Sequence, residues 1–293
     1  MPDPPVPLDF IVFASQKSAS TWFCRCLDEH PEIAIGYPYE KRFLREREGW
    51  VEREENPQFL DDWEAYRDQF PDKEDHQLRG DGDVELYYNE SGPDVVEKFY
   101  PDVKLIAILR DPVARIRSEY AYRVRDPKVE EGTLEEYIDE SLTIDRSSYA
   151  KQLDPWFDRF GEDQILGLPW TELGEEGEDL LEEAFAFLDV DPSVEPPSLT
   201  ERVNPHREKQ PWFQALESVA RGLRRLGLGP LMDLVNRVGV GPAVREVGDP
   251  PADKPEMPPE IEAELRRELA DDIDQLETMI GKDLSAWKPE PEA

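Results

Sequence analysis

The 293-residue chain carries 68 Asp and Glu residues against 34 Lys and Arg residues, a formal net charge of −34. This charge disfavours nucleic acid as a partner, because phosphate backbones bind to basic surfaces. The length of 293 residues allows one large α/β domain or two small ones, and a hydrophobic content of 38% supports a real core. Apolar periodicity throughout the chain makes a partly disordered acidic protein the weaker alternative. Acidic groups spread over a folded domain indicate adaptation to molar salt, where the Debye length is about 3 Å, and so a halophilic source.

The cysteines and the apolar runs indicate neither an exported nor a membrane-bound protein. Cys24 and Cys26 lie two residues apart on a predicted helix, where they face different directions, and predict neither a disulfide framework nor a zinc site. The sequence begins without the charged and then apolar pattern of a signal peptide, and its apolar runs are too short to span a bilayer. We therefore expect a soluble cytoplasmic protein with no membrane span.

The first predicted elements are a strand, a polar loop and a helix. The strand covers 9–14, the loop runs from Ser15 to Thr21, and an apolar-periodic segment begins at Trp22. Such a loop directs backbone N–H groups and a helix N-terminus towards one point, which suits a phosphate. Because the loop contains no glycine, it differs from the glycine-rich loop of nucleotide triphosphatases.

Short apolar strands alternate with helices along the rest of the chain, which predicts a parallel sheet covered on both faces. The strands are predicted at 32–35, 103–109 and 164–168, and the helices at 113–124, 134–141, 149–160, 175–188 and 259–280, the last ending at Gly281. We expect a polar insertion near 45–80 and a Pro- and Gly-rich loop or subdomain near 190–260. Both belong to a single predicted domain over 1–293.

A second anion-binding position is predicted where the strand at 103–109 ends. Arg110 follows this strand, Asp111 and Pro112 turn the chain, and Ser118 lies about two turns along the next helix. Ligands of open α/β sheets bind beyond the carboxyl ends of the strands, so Arg110 is expected beside the 15–21 loop if the two strands are near neighbours. Arg suits phosphate because its planar group bonds two oxygens at once. Two such positions imply a ligand with separated phosphate groups.

These two segments resemble the sulfotransferases that use 3′-phosphoadenosine 5′-phosphosulfate (PAPS), especially the carbohydrate or heparan-sulfate-type branch. In that family a K-S-G-T-T-like loop holds the 5′-phosphosulfate, and it is matched here by Lys17, Ser18, Ala19, Ser20, Thr21 and Trp22. An L-R-D-P-x-x-R-x-x-S segment holds the 3′-phosphate and is matched from Leu109 to Ser118. The resemblance continues through 79–88, 147–173, 184–190 and 281–287. It implies an α/β, three-layer, P-loop-like fold whose central parallel sheet has helices on both faces.

The resemblance also implies which residues face the acceptor. Glu40 matches the glutamate that serves as base for the acceptor hydroxyl. Asp81 and Asp83 lie in the substrate-side segment at 79–88 and, with His76, are the competing candidates for the base. Gly82 and Asp83 depart from the usual Ser-Pro of that segment, which leaves the acceptor open.

Further residues are matched around the nucleotide. Tyr149 matches a family tyrosine near the cofactor, and Arg207 and Lys209 are the available cations of a basic loop that closes over the adenosine and the 3′-phosphate. The alternatives are helix capping for the loop hydroxyl groups, core packing for Trp22 and Tyr149, and a solvated loop at 204–211. Ala19 replaces the usual loop glycine, so a positive φ there would be strained.

The reaction implied by the resemblance is in-line transfer of a sulfuryl group from PAPS to an alcohol. Glu40 would remove the hydroxyl proton, and Lys17 with the loop N–H groups would stabilise the charge that develops on the sulfuryl and bridging oxygens. No metal is expected. The acceptor is a glycan or another alcohol, and the oligomeric state is open. The alternatives are a nucleotide-dependent kinase of related fold and a non-catalytic nucleotide-binding protein.

Overall fold

A parallel five-stranded sheet forms the centre of the protein, with strand order β2–β5–β1–β6–β7. The structure, a computed structural model, describes residues 6–36, 39, 41–44, 47–48, 54–55, 63–71, 77–123, 134–138, 141–170, 175–199 and 257–289. The strands, with a separate antiparallel pair β3–β4, are β1 (Phe10–Ala14), β2 (Ile33–Ala34), β3 (Arg47–Glu48), β4 (Glu54–Glu55), β5 (Leu78–Asp83), β6 (Lys104–Arg110) and β7 (Ile165–Trp170).

Helices cover both faces of the sheet, as the alternation of strands and helices predicts. They are α1 (Ser20–Asp28), α2 (Trp63–Arg67), α3 (Gly92–Phe99), α4 (Pro112–Arg123), α5 (Leu134–Ile138), α6 (Ser141–Asp145), α7 (Tyr149–Phe157), α8 (Glu175–Phe187), α9 (Pro259–Glu268) and α10 (Ala270–Ile280). None of the described helices is both long and apolar enough to cross a membrane.

The side chains of β1 divide the interior into two cores. Ile11 and Phe13 enter one core, against helices that include α4, α7, α9 and α10. Phe10 and Val12 enter the other, against α1 and α8. Successive side chains of a strand point to opposite faces, so an all-apolar strand requires cover on both sides. The predicted three-layer α/β fold is confirmed.

One central strand was absent from the sequence prediction. β5 pairs with β1 on one side and with β2 on the other, yet its sequence LRGDGD lacks the apolar run typical of a buried strand. Gly80 explains why this strand fits, since a Cβ there would lie 2.1 Å from Cζ of Phe10. The aromatic ring of β1 therefore occupies the space that a side chain on β5 would need.

One predicted helix is divided in the structure. The segment predicted at 259–280 forms α9 and α10, separated by Leu269. The segment predicted at 134–141 includes α5 and the first residue of α6, and residues 139–140 lie outside the described residues. Gly281 ends α10 in the left-handed conformation with φ 64°, as expected for a helix stop. Most of the predicted loop or subdomain near 190–260 lies outside the described residues, and the single domain over 1–293 stays a prediction.

Candidate active site at the carboxyl edge of the sheet

The loop at 15–19, called the Lys17 loop below, joins β1 to α1 through two left-handed residues. Lys17 has φ 71° and Ala19 has φ 56°, a conformation that costs a non-glycine residue about 1–3 kcal/mol. The strain anticipated for alanine at this position is therefore present. Ala19 precedes the first turn of α1, whose backbone N–H groups have no partner within the helix. Successive N–H groups arranged in this way form anion-binding concavities.

Hydrogen bonds beneath the Lys17 loop fix its shape. Ser18 donates its backbone N–H to the carbonyl of Ser15 at 3.2 Å, and the hydroxyl groups of the two serines bond to each other. The hydroxyl of Tyr149 lies 3.1 Å from Oγ of Ser15. Ser18 is fully buried, whereas Ser20 is half-buried and Thr21 is exposed. The Ser18 hydroxyl therefore supports the loop from within, and the two following side chains lie nearer the surface.

Arg110 lies beside the Lys17 loop because β6 is paired with β1 in parallel. Its Nη1 donates to the backbone carbonyl of Lys17 at 3.0 Å, and its guanidinium carbon lies 5.4 Å from the ring centroid of Trp170 on β7. The side chain is almost buried, which limits screening of its charge by solvent. The two cationic residues expected to bind separate phosphate groups are thus joined by one hydrogen bond.

Tyr149 connects the Lys17 loop to β6 through its hydroxyl group. It is fully buried at the start of α7, and its hydroxyl donates to the carbonyl of Arg110 at 2.9 Å. Burial raises the pKa of Tyr149 to about 12, with Arg115 opposing the shift. The phenol is protonated at neutral pH and serves as a hydrogen-bonding support for both the Lys17 loop and the Arg110 segment.

The helix α4 continues the Arg110 segment along the edge of the sheet. Asp111 caps its first turn, because Oδ1 accepts hydrogen bonds from the backbone N–H groups of Val113 at 2.8 Å and Ala114 at 3.0 Å. Ser118 is buried, and Tyr122, four residues on, shares its side of the helix. The ammonium group of Lys17 lies 3.8 Å from the centroid of the Tyr122 ring. The end of α4 thus reaches the Lys17 loop.

Asp81, which we predicted from the sequence to face the acceptor, forms a buried ion pair. Its Oδ1 is 3.4 Å from Nζ of Lys41, and both side chains are at most 1% exposed. Its other oxygen accepts a hydrogen bond from Tyr66. Burial raises the pKa of Asp81, while Lys41 and the hydrogen bond from Tyr66 oppose the shift. These contacts fit an internal support for β5 better than direct contact with an acceptor.

Glu85 is a carboxylate beside the Lys17 loop that the sequence reasoning did not single out. It follows the carboxyl end of β5, is buried, and accepts a hydrogen bond from the side-chain amide of Gln16. Its backbone N–H donates to Oδ1 of Asp83 at 3.2 Å. Its place after a strand next to β1 is the signal that could have identified it, but β5 itself was not predicted.

The remaining predicted site residues divide into one core residue and four that are not described, among them the base candidate His76. Trp22 is buried, and its indole N–H donates to the carbonyl of Ser198 at 2.9 Å, so its side chain faces the core while its backbone belongs to the first turn of α1. Glu40, Arg207 and Lys209 lie outside the described residues.

A separate cavity of about 530 Å³ lies at the opposite, amino-terminal edge of the sheet. Its lining includes Asp9, Asp102, Lys104 and Asp189. The ammonium of Lys104 is already bound to Asp189 at 2.5 Å and to the carbonyl of Phe187 at 2.7 Å. Because ligands of open α/β sheets bind at the carboxyl ends of the strands, this cavity is away from the candidate active site.

The comparisons with known proteins identify the family and support the fold. A model of the Sulfotransferase family matches residues 9–196, which include the Lys17 loop, β5, Arg110 and Tyr149. The crystal structure of a sulfotransferase from Alicyclobacillus acidocaldarius superposes with a TM-score of 0.68 at 21% identity, over 96% of this chain and 99% of that chain. No curated protein matches this chain.

Two further solved structures are more distant. The sulfotransferase domain from the curacin biosynthetic pathway has a TM-score of 0.45 at 13% identity, over 68% of this chain and 79% of that chain. The mouse sulfotransferase SULT7A1 complexed with PAP has a TM-score of 0.44 at 18% identity, over 66% of this chain and 62% of that chain.

Proposed function

Because the chain belongs to the sulfotransferase family, we propose that it transfers the sulfuryl group of PAPS to a hydroxyl group of an acceptor. The observation that carries this proposal is the 3.0 Å hydrogen bond from Arg110 to the carbonyl of Lys17. It holds a phosphate-binding arginine next to a strained, anion-binding loop. A donor with a 5′-phosphosulfate and a separate 3′-phosphate fits two such neighbouring positions.

Lys17 and the backbone of its loop would act on the transferred group. The acceptor oxygen forms a new bond to sulfur as the bond from sulfur to the 5′-phosphate oxygen breaks, and 3′,5′-diphosphoadenosine (PAP) leaves. Negative charge develops on the bridging oxygen during this step. An ammonium group and preorganised N–H donors at that point stabilise the transition state more than the ground state.

Arg110 would bind the 3′-phosphate, with Ser118 on the following helix as a second donor. The guanidinium can bond two phosphate oxygens at once. Its position is supported by Trp170, whose ring centroid lies 5.4 Å from the guanidinium carbon, and by the hydrogen bond from Tyr149 to its carbonyl. Among the remaining family residues, Ser20, Thr21 and Trp22 would contribute backbone N–H groups, and Arg207 and Lys209 would close over the nucleotide.

The proton of the acceptor hydroxyl would pass to Glu40, and the proposed acceptor is a carbohydrate. The support for both is the family match of Glu40. Asp83, at the end of β5, and Glu85, just after it, are the alternative carboxylates. A general base must lie within hydrogen-bond reach of the hydroxyl it deprotonates. The acidic composition supports a protein that works in concentrated salt.

Two measurements test this function. The first compares the melting temperature with PAP and with ATP plus Mg²⁺, and stabilisation by PAP alone is expected, since a ligand stabilises the state that binds it. The second follows labelled sulfate from PAPS to a panel of glycan and small alcohol acceptors at high salt. Stabilisation only by ATP with Mg²⁺, together with transfer of phosphate to an acceptor, would refute the proposed function and show that the protein is a kinase.

A further inference from the structure

The segment at 257–289, called the C-terminal segment below, reaches the turn that carries Arg110. Nη2 of Arg266 on α9 lies 3.1 Å from Oδ2 of Asp111, although 155 positions separate the two residues. Arg266 is itself fixed, because Nη1 donates to the carbonyl of Trp287 at 2.9 Å and Nη2 donates to Glu262 at 2.9 Å. Its side chain is 19% exposed, so the ion pair is only partly screened by solvent.

Asp111 transmits this contact to the site. Its other oxygen caps the first turn of α4, and its neighbour in the chain is Arg110. The carboxylate is therefore bonded on one side to the helix and on the other to the C-terminal segment. The two attachments hold the turn through which the chain leaves β6, directly after Arg110.

The same segment also reaches Arg110 indirectly, through the start of α7. Asp272 on α10 accepts hydrogen bonds at 3.0 Å from the backbone N–H groups of both Ala150 and Lys151 at the start of α7. Tyr149 begins that helix and donates to the carbonyl of Arg110. The ring of Trp287 lies against Tyr149, with 6.3 Å between centroids. The C-terminal segment thus reaches Arg110 by two routes, through Asp111 and through Tyr149.

We propose that the C-terminal segment, through Arg266 and Asp111, positions Arg110 to bind the 3′-phosphate of the donor. This inference rests on the proposed function and adds a positioning residue outside the 9–196 region matched by the family model. Arg266 does not bind the nucleotide in this proposal. Its guanidinium acts through Asp111, so its removal should affect only the ligand groups that Arg110 contacts.

The first test measures the affinity of the Arg266→Ala protein for PAP and for adenosine 5′-phosphosulfate, which lacks the 3′-phosphate. PAP affinity should fall by about fivefold, the usual effect of a contact that acts through a connected network, while adenosine 5′-phosphosulfate should bind as in wild type. Arg159→Ala is the matched control, because Arg159 also pairs with a carboxylate, Asp94 at 2.6 Å, at the far end of α7. Equal loss for both ligands would show a general structural effect and overturn the proposal.

The second test is a double-mutant cycle with Arg110→Ala. If Arg266 acts through Arg110, adding Arg266→Ala to the Arg110→Ala protein should not weaken PAP binding further. Arg266→Lys keeps the charge and should recover part of the PAP affinity if the alanine variant is too unstable to measure. Additive losses would contradict the proposal. A wild-type protein that binds neither nucleotide would refute the proposed function and this inference together, whereas wild-type affinity in every Arg266 variant would refute this inference alone.

Discussion

The ammonium group of Lys17 lies over the face of the Tyr122 ring, 3.8 Å from its centroid. Lys17 belongs to the loop after β1, and Tyr122 lies in the last turn of α4, the helix that begins at the Arg110 turn. The Tyr122 side chain is 49% exposed. A cation–π contact at such a site contributes about 0.5–1 kcal/mol, which favours this orientation of the lysine side chain. The helix that follows Arg110 therefore helps to orient the proposed catalytic cation.

This contact predicts how two substitutions of Tyr122 differ. Tyr122→Phe keeps the aromatic face and should retain wild-type turnover, whereas Tyr122→Leu removes it and should lower kcat by about threefold, the equivalent of the contact energy. Steady-state kinetics with PAPS measure both variants, and KM for the acceptor should not change. Equal turnover in the phenylalanine and leucine variants would show that the ring does not orient Lys17.

Lys17→Ala should nearly abolish transfer while the protein stays folded. The side chain is half-buried in a loop, and its proposed task is charge stabilisation, for which loss of one preorganised donor typically lowers kcat by about 10²–10³. Lys98→Ala on α3 is the control, since that lysine is exposed and also lies near an aromatic ring. More than half of the wild-type activity in Lys17→Ala would refute the assignment of the loop.

Arg110→Ala should weaken binding of PAP by at least about tenfold, because a hydrogen bond to a charged group contributes about 1.5–3 kcal/mol. Adenosine 5′-phosphosulfate should bind to wild type and variant alike, since it has no 3′-phosphate. Calorimetric titration at constant high salt gives both affinities. Because Arg110 also donates to the Lys17 carbonyl, we expect kcat to fall as well. An equal loss for both nucleotides would mean that Arg110 does not bind the 3′-phosphate.

The buried group formed by Arg115, Glu119 and Arg146 predicts a pH dependence of folding. Glu119 bonds Arg115 and lies 3.5 Å from Arg146. Burial alone raises the pKa of Glu119, but the two arginines outweigh it and lower the pKa below its usual value of 4.5. A lowered carboxylate pKa stabilises the fold above the unfolded pKa, and this contribution is lost as the pH falls through the folded pKa.

Glu119→Gln should therefore be less stable than wild type by about 3–5 kcal/mol at pH 7, the usual effect of breaking a buried ion pair. The difference should shrink below pH 4.5, where wild type loses the same contribution. Chemical unfolding at constant high salt measures it, with the exposed Glu264→Gln as control. If the stability difference between the two proteins does not change between pH 7 and pH 3, the ionised Glu119 carboxylate is not the source of the pH-dependent stability.

Glu40→Gln tests the proposed base. The amide keeps the size of the side chain but cannot accept the proton, so kcat should fall by about 10²–10⁴, the usual contribution of general-base catalysis. PAP affinity should stay near that of wild type. The wild-type rate should rise with pH through the titration of the carboxylate, and this rise should be absent in the variant. Full activity in a folded Glu40→Gln protein would move the base to Asp83 or Glu85.

The sequence predicted the parts of the site that are local in the chain. The strand, loop and helix around Lys17 and the strand, turn and helix around Arg110 are each marked by an apolar run followed by polar residues. β5 was missed because its stability depends on Phe10, a residue of another strand that fills the space beside Gly80. The contact of Arg266 with Asp111 joins residues 155 positions apart, and no local pattern predicts such a pair.

The order of strands in the sheet also affects how the protein folds. β1 precedes its two neighbours in the sequence, and the register joins it to residues 80–83 and 104–108. Parallel strands that are distant in sequence pair slowly, because a long loop must close before any contact forms. We therefore expect the apolar β1 to remain unpaired and prone to aggregation during synthesis until β5 and β6 have emerged from the ribosome. We likewise expect the Lys17 loop, although it is made earlier, to acquire its shape only when Arg110 and Tyr149 are in place, because both form hydrogen bonds to it.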